Sequence, residues 1–193
     1  MTVRTRCRKA VRLSKVVLGF LKKYRPSWKV AQMIYGSVIA PSMLYGTQVA
    51  VLTKYSRRSI RGYERQIVQS MAKLCRDTQH LNQPVSKLLS KKRITKKIRL
   101  YQMRWFGHVR RRPANHPLRV ALNLRARRLR SCRPGFTMWD MIKQNISRYG
   151  NADYQFWWHL ALDKEKYNQE LQKIYEQDES DSSSWESEDE EEC

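Results

Sequence analysis

Apolar side chains recur along most of this chain at steps of three and four, the spacing of one face of an α-helix. Alternating runs that would mark strands are scarce. Residues 4–23 are predicted as a first helix, with Cys7, Ala10, Val11, Ser14, Val17, Leu18 and Leu21 as its inward stripe. Arg25-Pro26 ends it, because the residue before a proline avoids helical angles. Ser27 is placed to cap a second helix from Trp28. Val30, Met33, Ile34, Ser37 and Val38 are expected on its buried face, and Pro41 is expected to kink or break it. Gly46 supplies a left-handed stop, and Val49, Val51 and Leu52 read as extended. A third helix over about residues 54–76 keeps Ile60, Tyr63, Ile67, Met71 and Leu74 inward and Arg57, Arg58, Arg61, Arg65, Lys73 and Arg76 outward.

A short apolar piece, Val85–Leu89, leads to the most one-sided helix, Ile94–Arg112. Ile94, Ile98, Tyr101, Trp105 and His108 share its apolar face, while Lys96, Lys97, Arg99, Arg104 and Arg110 lie off it. Pro113 and Pro117 bound its exit, and Leu118–Leu124 has room for one or two turns. The run RARRLRSCR, Arg125–Arg133, is too dense in like charge to fold alone. Thr137 and Asp140 have the spacing of a capping box, so a helix is predicted from about Met138 to Ser147. A last helix over about 154–176 has Phe156, Leu160, Tyr167, Leu171 and Ile174 on one side. From Gln177 the chain is acid and serine, a composition expected to stay disordered. The class is therefore mostly α: a three-helix bundle over 1–77, a basic helical extension over 78–176, and an acidic tail over 177–193.

Charge sharpens this picture. The net charge of +22 hides a split. Residues 1–175 hold all 39 Lys and Arg against seven acids, a balance of +32, whereas 176–193 hold ten acids and no base. From Thr78 to Trp139 there are 17 Lys and Arg and no acid. Such a surface repels itself without counter-charge, for which nucleic acid is the first candidate and an anionic membrane the second. A solvated charged face is the plain alternative. The candidate phosphate-binding residues are Lys91, Lys92, Arg93, Lys96, Lys97, Arg99, Arg104, Arg110, Arg111 and Arg112, then Arg125, Arg127, Arg128 and Arg130. Contacts of this kind fix position and do not read sequence. Trp105, Trp139, Trp157 and Trp158 are candidates for stacking on unpaired bases. For Trp105 core packing is favoured, and Trp157 and Trp158 cannot both face one core.

Other chemistry is thin. Cys7, Cys75, Cys132 and Cys193 are scattered with no C-x-x-C, which fits a reducing compartment, nuclear or cytoplasmic, better than a disulfide framework. No run is long and apolar enough for a membrane span. The run KKRITKK, Lys91–Lys97, has the composition of a nuclear localisation signal. His108, His116 and Cys132 match no familiar zinc spacing, so neither metal nor cofactor is expected, and His108 is expected inside. The body's acids form no close pair, and no nucleophile motif or glycine-rich phosphate loop occurs. In the tail, Ser183 and Ser187 are each followed three residues later by Glu, as in acidophilic kinase sites. That tail either solubilises the chain or folds back on the basic body and competes with nucleic acid.

The order of elements carries a resemblance. A basic helix precedes Lys29, Tyr35, Ile39, Pro41, Tyr45 and Gly46 in the pattern K-x5-Y-x3-I-x-P-x3-Y-G. Tyr63-Glu64-Arg65 follows, then R-W-F-G-H-V at Arg104–Val109. Arg133, Pro134, Thr137 and Trp139 come next, and Ala161, Asp163 and Tyr167 close the series. The series resembles the thumb and C-terminal extension downstream of the palm in non-LTR (LINE-type) retrotransposon reverse transcriptases. Gln48 stands where Glu is frequent, Tyr167 where Trp is usual, and the Thr137–Trp139 spacing is one residue longer. The resemblance implies a thumb-like bundle that grips the backbone of an RNA or DNA template–primer, with a palm as its partner. The Y-x-D-D aspartates that hold catalytic metal ions are missing, so no polymerase activity is expected of this chain alone. Three readings follow: a piece of a polymerase whose palm lies outside the chain, a free-standing nuclear nucleic-acid-binding or chromatin-associated protein, or a translated remnant without function. The initial Met1 and the acidic tail favour the second.

Overall fold

The computed structural model describes residues 3–77, 83–89, 93–123, 138–147 and 153–177. Among these residues there are ten α-helices and no strand, so the mostly α class read from the periodicity is the class that forms. The chain divides into two compact units. The first takes the described residues up to Tyr45 and those of Lys54–Ile98; the second takes Gly46–Thr53 and those from Arg99 on. The residue-77 boundary drawn from the sequence falls inside the first unit.

In the first unit α1, Val3–Tyr24, packs on α4, Lys54–Ala72, and on α3, Ala40–Leu44. The inward stripe of α1 is the expected one: Cys7, Ala10, Ser14, Val17 and Leu21 are buried. The helix stops at Arg25, whose φ of 39° is left-handed, with its N–H donating to the Leu21 carbonyl at 2.9 Å. The next helix, α2, Trp28–Ile34, begins at Ser27, but the Ser27 hydroxyl makes no capping bond. The cap comes from far along the chain: the Asp77 carboxylate accepts the Trp28 N–H at 3.0 Å. A carboxylate at a helix start also meets the positive end of the dipole, so it outdoes a hydroxyl there.

The face expected for α2 is not the buried one. Val30, Met33, Ser37 and Val38 are exposed, while Trp28, Ala31, Tyr35, Ile39, Ala40, Met43 and Leu44 are buried. The helix is apolar around most of its girth, so periodicity alone admits either side. Pro41 produces no break. Its missing N–H is absorbed by one wide turn over Tyr35–Ile39, after which α3 continues in helical geometry. Gly46 is left-handed at φ 68°, as expected. Thr47–Val49 form a 3-10 turn, so Val49 is not extended, and Ala50 beyond it is. The short helix α5, Val85–Leu89, lies against α4, and the Gln32 amide of α2 donates to the Leu88 carbonyl.

The core of the second unit is built around α6, Ile94–Arg110, of which residues from Arg99 on belong here. Leu100, Met103, Phe106 and Val109 form a cluster with Leu122 of α7, Pro117–Asn123, and with Ile142 and Ile146 of α8, Met138–Ser147. Trp157 of α9, Tyr154–Leu160, and Tyr167 and Leu171 of α10, Lys164–Gln177, complete it. One continuous helix over 154–176 is thus corrected to two. Asp163 causes the break: its Oδ1 accepts the N–H groups of Glu165 and Lys166 at 3.0 and 3.1 Å and starts α10 afresh. Phe156, expected inward, is exposed, and its neighbour Trp157 is buried instead.

Candidate nucleic-acid interface

Two sets of buried contacts set the position of α6, and each fixes a residue singled out in the sequence. At its start stands Glu64. This acid, between Tyr63 and Arg65, is buried on α4. Its Oε1 accepts the Ile94 N–H at 2.7 Å and the Tyr35 hydroxyl at 2.7 Å. Glu64 therefore caps the first turn of α6 from another helix. Burial pushes its carboxyl above the ordinary range, against the pull of the Ile94 N–H, Tyr35, Arg93 and Lys97.

Further along, α6 has its core side set by α10. The Tyr167 hydroxyl donates to the Met103 carbonyl at 2.7 Å. Its ring lies over Gly107, where an added Cβ would stand 2.6 Å from Cε1 and 2.9 Å from Cδ1. Arg111 donates to the Ala161 carbonyl at 2.7 Å, holding the turn between α9 and α10. Arg110 lies over the Trp158 ring, 4.0 Å from its centre, beside a cluster of Phe106, Trp139, Tyr154 and Trp158. A buried polar chain runs from Asn145 to Gln102 at 3.1 Å, and from Gln102 to the Thr47 and Ala50 carbonyls. It pins the 47–50 segment to this unit, since leaving those amides unpaired inside would be costly.

These contacts revise the face expected for α6. Ile94 and Ile98 are buried as expected, but Tyr101 and His108 are exposed and Trp105 is half-buried. From Leu100 onward the helix belongs to a different core, in which Leu100, Met103, Phe106 and Val109 are the buried positions. The outer side carries Tyr101, Arg104, His108 and, in the turn beyond, Arg112. Arg112 reaches His108 Nε2 at 3.2 Å, and its carbonyl accepts Arg119 at 2.8 Å. Slight burial, then Arg112, Arg111 and His116, hold the His108 imidazole below its ordinary value, so near neutral pH it accepts from Arg112 uncharged. His116 Nδ1 accepts the Leu118 N–H at 3.2 Å. Among the described residues no group of three His, Cys, Asp or Glu is placed to hold a metal ion.

The sequence candidates therefore sort by environment. Arg104 and Arg112 are exposed on the outer side; Arg93, Lys96, Lys97 and Arg99 are half-buried, and Arg110 and Arg111 are engaged in the fold. Lys91, Lys92, Arg125, Arg127, Arg128, Arg130, Ser183 and Ser187 lie outside the described residues. Sequence reasoning missed Arg119 and His116 as parts of the same surface. The signal was available in the acid-free stretch, but both sit beyond Pro113, outside the helix on which the basic candidates were sought. Of the tryptophans, Trp157 is buried and Trp139 and Trp158 pack in the ring cluster.

No known protein family, curated protein or solved structure matches this chain. Its chemistry must therefore be read from the residues. What they form is a patch of guanidinium and imidazole groups on the outer side of α6, in a stretch of sequence that supplies no carboxylate. Guanidinium forks suit phosphate oxygens, and a helix packed along one side on a core loses little entropy when they engage. Among the described residues no helix is long and apolar enough to cross a membrane.

Proposed function

We propose that this chain binds RNA or DNA through the phosphate backbone, using the outer side of α6 and the acid-free sequence around it. We propose further that it derives from the thumb and C-terminal extension of a LINE-type reverse transcriptase, without the catalytic aspartates. The observation that carries the binding reading is the exposure of Arg104, His108 and Arg112 on one side of a helix whose opposite side is buried. A helix laid against a core this way presents its cations as a fixed array. The ancestry rests on the order of the sequence elements. It is supported by their packing: Glu64 caps the helix bearing R-W-F-G-H-V, and Tyr167 seats on that element's glycine. Backbone contact of this type is tolerant of sequence and strongly dependent on salt.

Competition binding at physiological salt tests both parts. An RNA–DNA hybrid, a DNA duplex and single-stranded RNA of equal length are set against one labelled probe. The expected result is preference for the hybrid, the duplex a thumb grips. Equal, salt-steep binding to all three would leave the cationic surface and remove the inherited grip. No binding would overturn the proposal.

A further inference from the structure

The other long helix has an outer side that the nucleic-acid reading does not use. With Cys7, Ala10, Val17 and Leu21 turned into the core, α1 leaves Val16, Phe20 and Tyr24 exposed at 72%, 46% and 60%. They follow one another at steps of four on one side of the helix. Phe20 and Tyr24 stack with ring centres 4.8 Å apart, and Lys23 lies 5.2 Å from the Tyr24 ring centre. Arg12 is exposed one turn before Val16. The side is thus apolar along its middle and cationic at its margins.

An occupant must meet both features. A second copy would bring a like-charged helix against this one, which repulsion disfavours. A phosphate backbone satisfies the cations and leaves the apolar strip uncovered. An acidic peptide with one large apolar side chain satisfies both, and this chain carries one: residues 178–193 hold nine acids, no base, and a single aromatic, Trp185. We propose that the outer side of α1 is the docking surface for this acidic segment, with Trp185 covering Val16, Phe20 and Tyr24 and the flanking carboxylates facing Arg12 and Lys23. The attraction is mostly between exposed charges, so salt screens it. Phosphates on Ser183 and Ser187, on either side of Trp185, strengthen it.

The test uses the full chain with photoreactive benzoylphenylalanine in place of Trp185, irradiated without nucleic acid. Since no nucleic acid is present, its outcome is independent of the α6 proposal. The expected product is an intrachain cross-link to peptides spanning residues 12–24. It is lost in the Phe20→Ser, Tyr24→Ser chain, and weakened by Arg12→Glu with Lys23→Glu or by high salt. All these side chains are exposed, so helicity by circular dichroism is expected to be retained. Cross-links elsewhere in the chain, or cross-links between chains, would overturn the proposal. So would a product indifferent to both variant pairs, including one accompanied by loss of nucleic-acid affinity, which would assign the side to nucleic acid.

Discussion

The ring of Tyr167 occupies the space that a side chain on Gly107 would need: a Cβ there would stand 2.6 Å from Tyr167 Cε1. The two residues lie in different sequence elements 60 positions apart, and each accounts for the other. Gly107 is small so that α10 can approach α6, and Tyr167 is held there by its hydroxyl on the Met103 carbonyl.

Gly107→Ala should therefore destabilise the second unit by about 1–3 kcal/mol, the usual cost of overpacking. Tyr167→Phe, which removes only the hydroxyl, should cost about 1 kcal/mol. Combining Gly107→Ala with Tyr167→Leu should cost less than the two changes summed, because the smaller side chain relieves the clash. Additive costs in urea denaturation would show that ring and glycine do not meet.

Glu64 gives a prediction in pH. Its folded value is raised, so the fold favours the protonated carboxyl over the ionised one. This contribution is fully present below the ordinary carboxylate range and is lost as pH rises through the raised value. Glu64→Gln keeps an acceptor for the Ile94 N–H and the Tyr35 hydroxyl and removes the titration. Relative to the parent, the variant should gain stability as pH rises toward neutrality. Glu64→Ala leaves both donors buried without a partner and should cost about 1–3 kcal/mol for each at any pH. Denaturation curves followed across that range check both, and a Glu64→Gln chain with the parent's pH profile would refute the assignment.

His108 predicts the pH response of binding. Its imidazole is held below the ordinary value by slight burial and then by Arg112, Arg111 and His116. A phosphate on this surface favours the protonated ring, so affinity should rise as pH falls from neutrality and go on rising below the ordinary histidine value, until the lowered value of the free ring is passed. His108→Ala should flatten the rise while leaving affinity at higher pH close to the parent's. Fluorescence anisotropy against a labelled duplex measures this, and a rise undiminished in His108→Ala would place the titrating group elsewhere.

Much of the fold was legible because helices with one clearly apolar side declare themselves. The stripe of α1 and the bounds of α8 are found where the spacing put them. Most of the misreadings share a cause: a partner distant in sequence decided what periodicity left open. Asp77 caps α2 in place of the adjacent Ser27. Glu64, to which the spacing assigned no side, is inside because Ile94 and Tyr35 bring donors to it. The outer side of α6 was misassigned from Tyr101 on because the helix serves one core at Ile94 and Ile98 and another from Leu100. The break at Asp163 was missed although Asp is a strong capping residue, since the apolar pattern runs through it. For the interface, charge marked the right stretch but could not separate Arg104 and Arg112 on the outer side from Arg110 and Arg111, which the fold uses.

The central claim is that the outer side of α6 holds phosphates. The most direct test is the salt dependence of binding to a DNA duplex by the full chain and by the Arg104→Glu, Arg112→Glu chain, whose exposed substitutions should leave helicity intact. The account predicts steep loss of affinity with salt for the parent, with each phosphate contact adding about 0.9 to the logarithmic slope. In the variant the slope should fall by about 2 and affinity should drop at every salt concentration. An unchanged slope and an unchanged affinity in a folded variant would contradict it and move the binding surface off this helix.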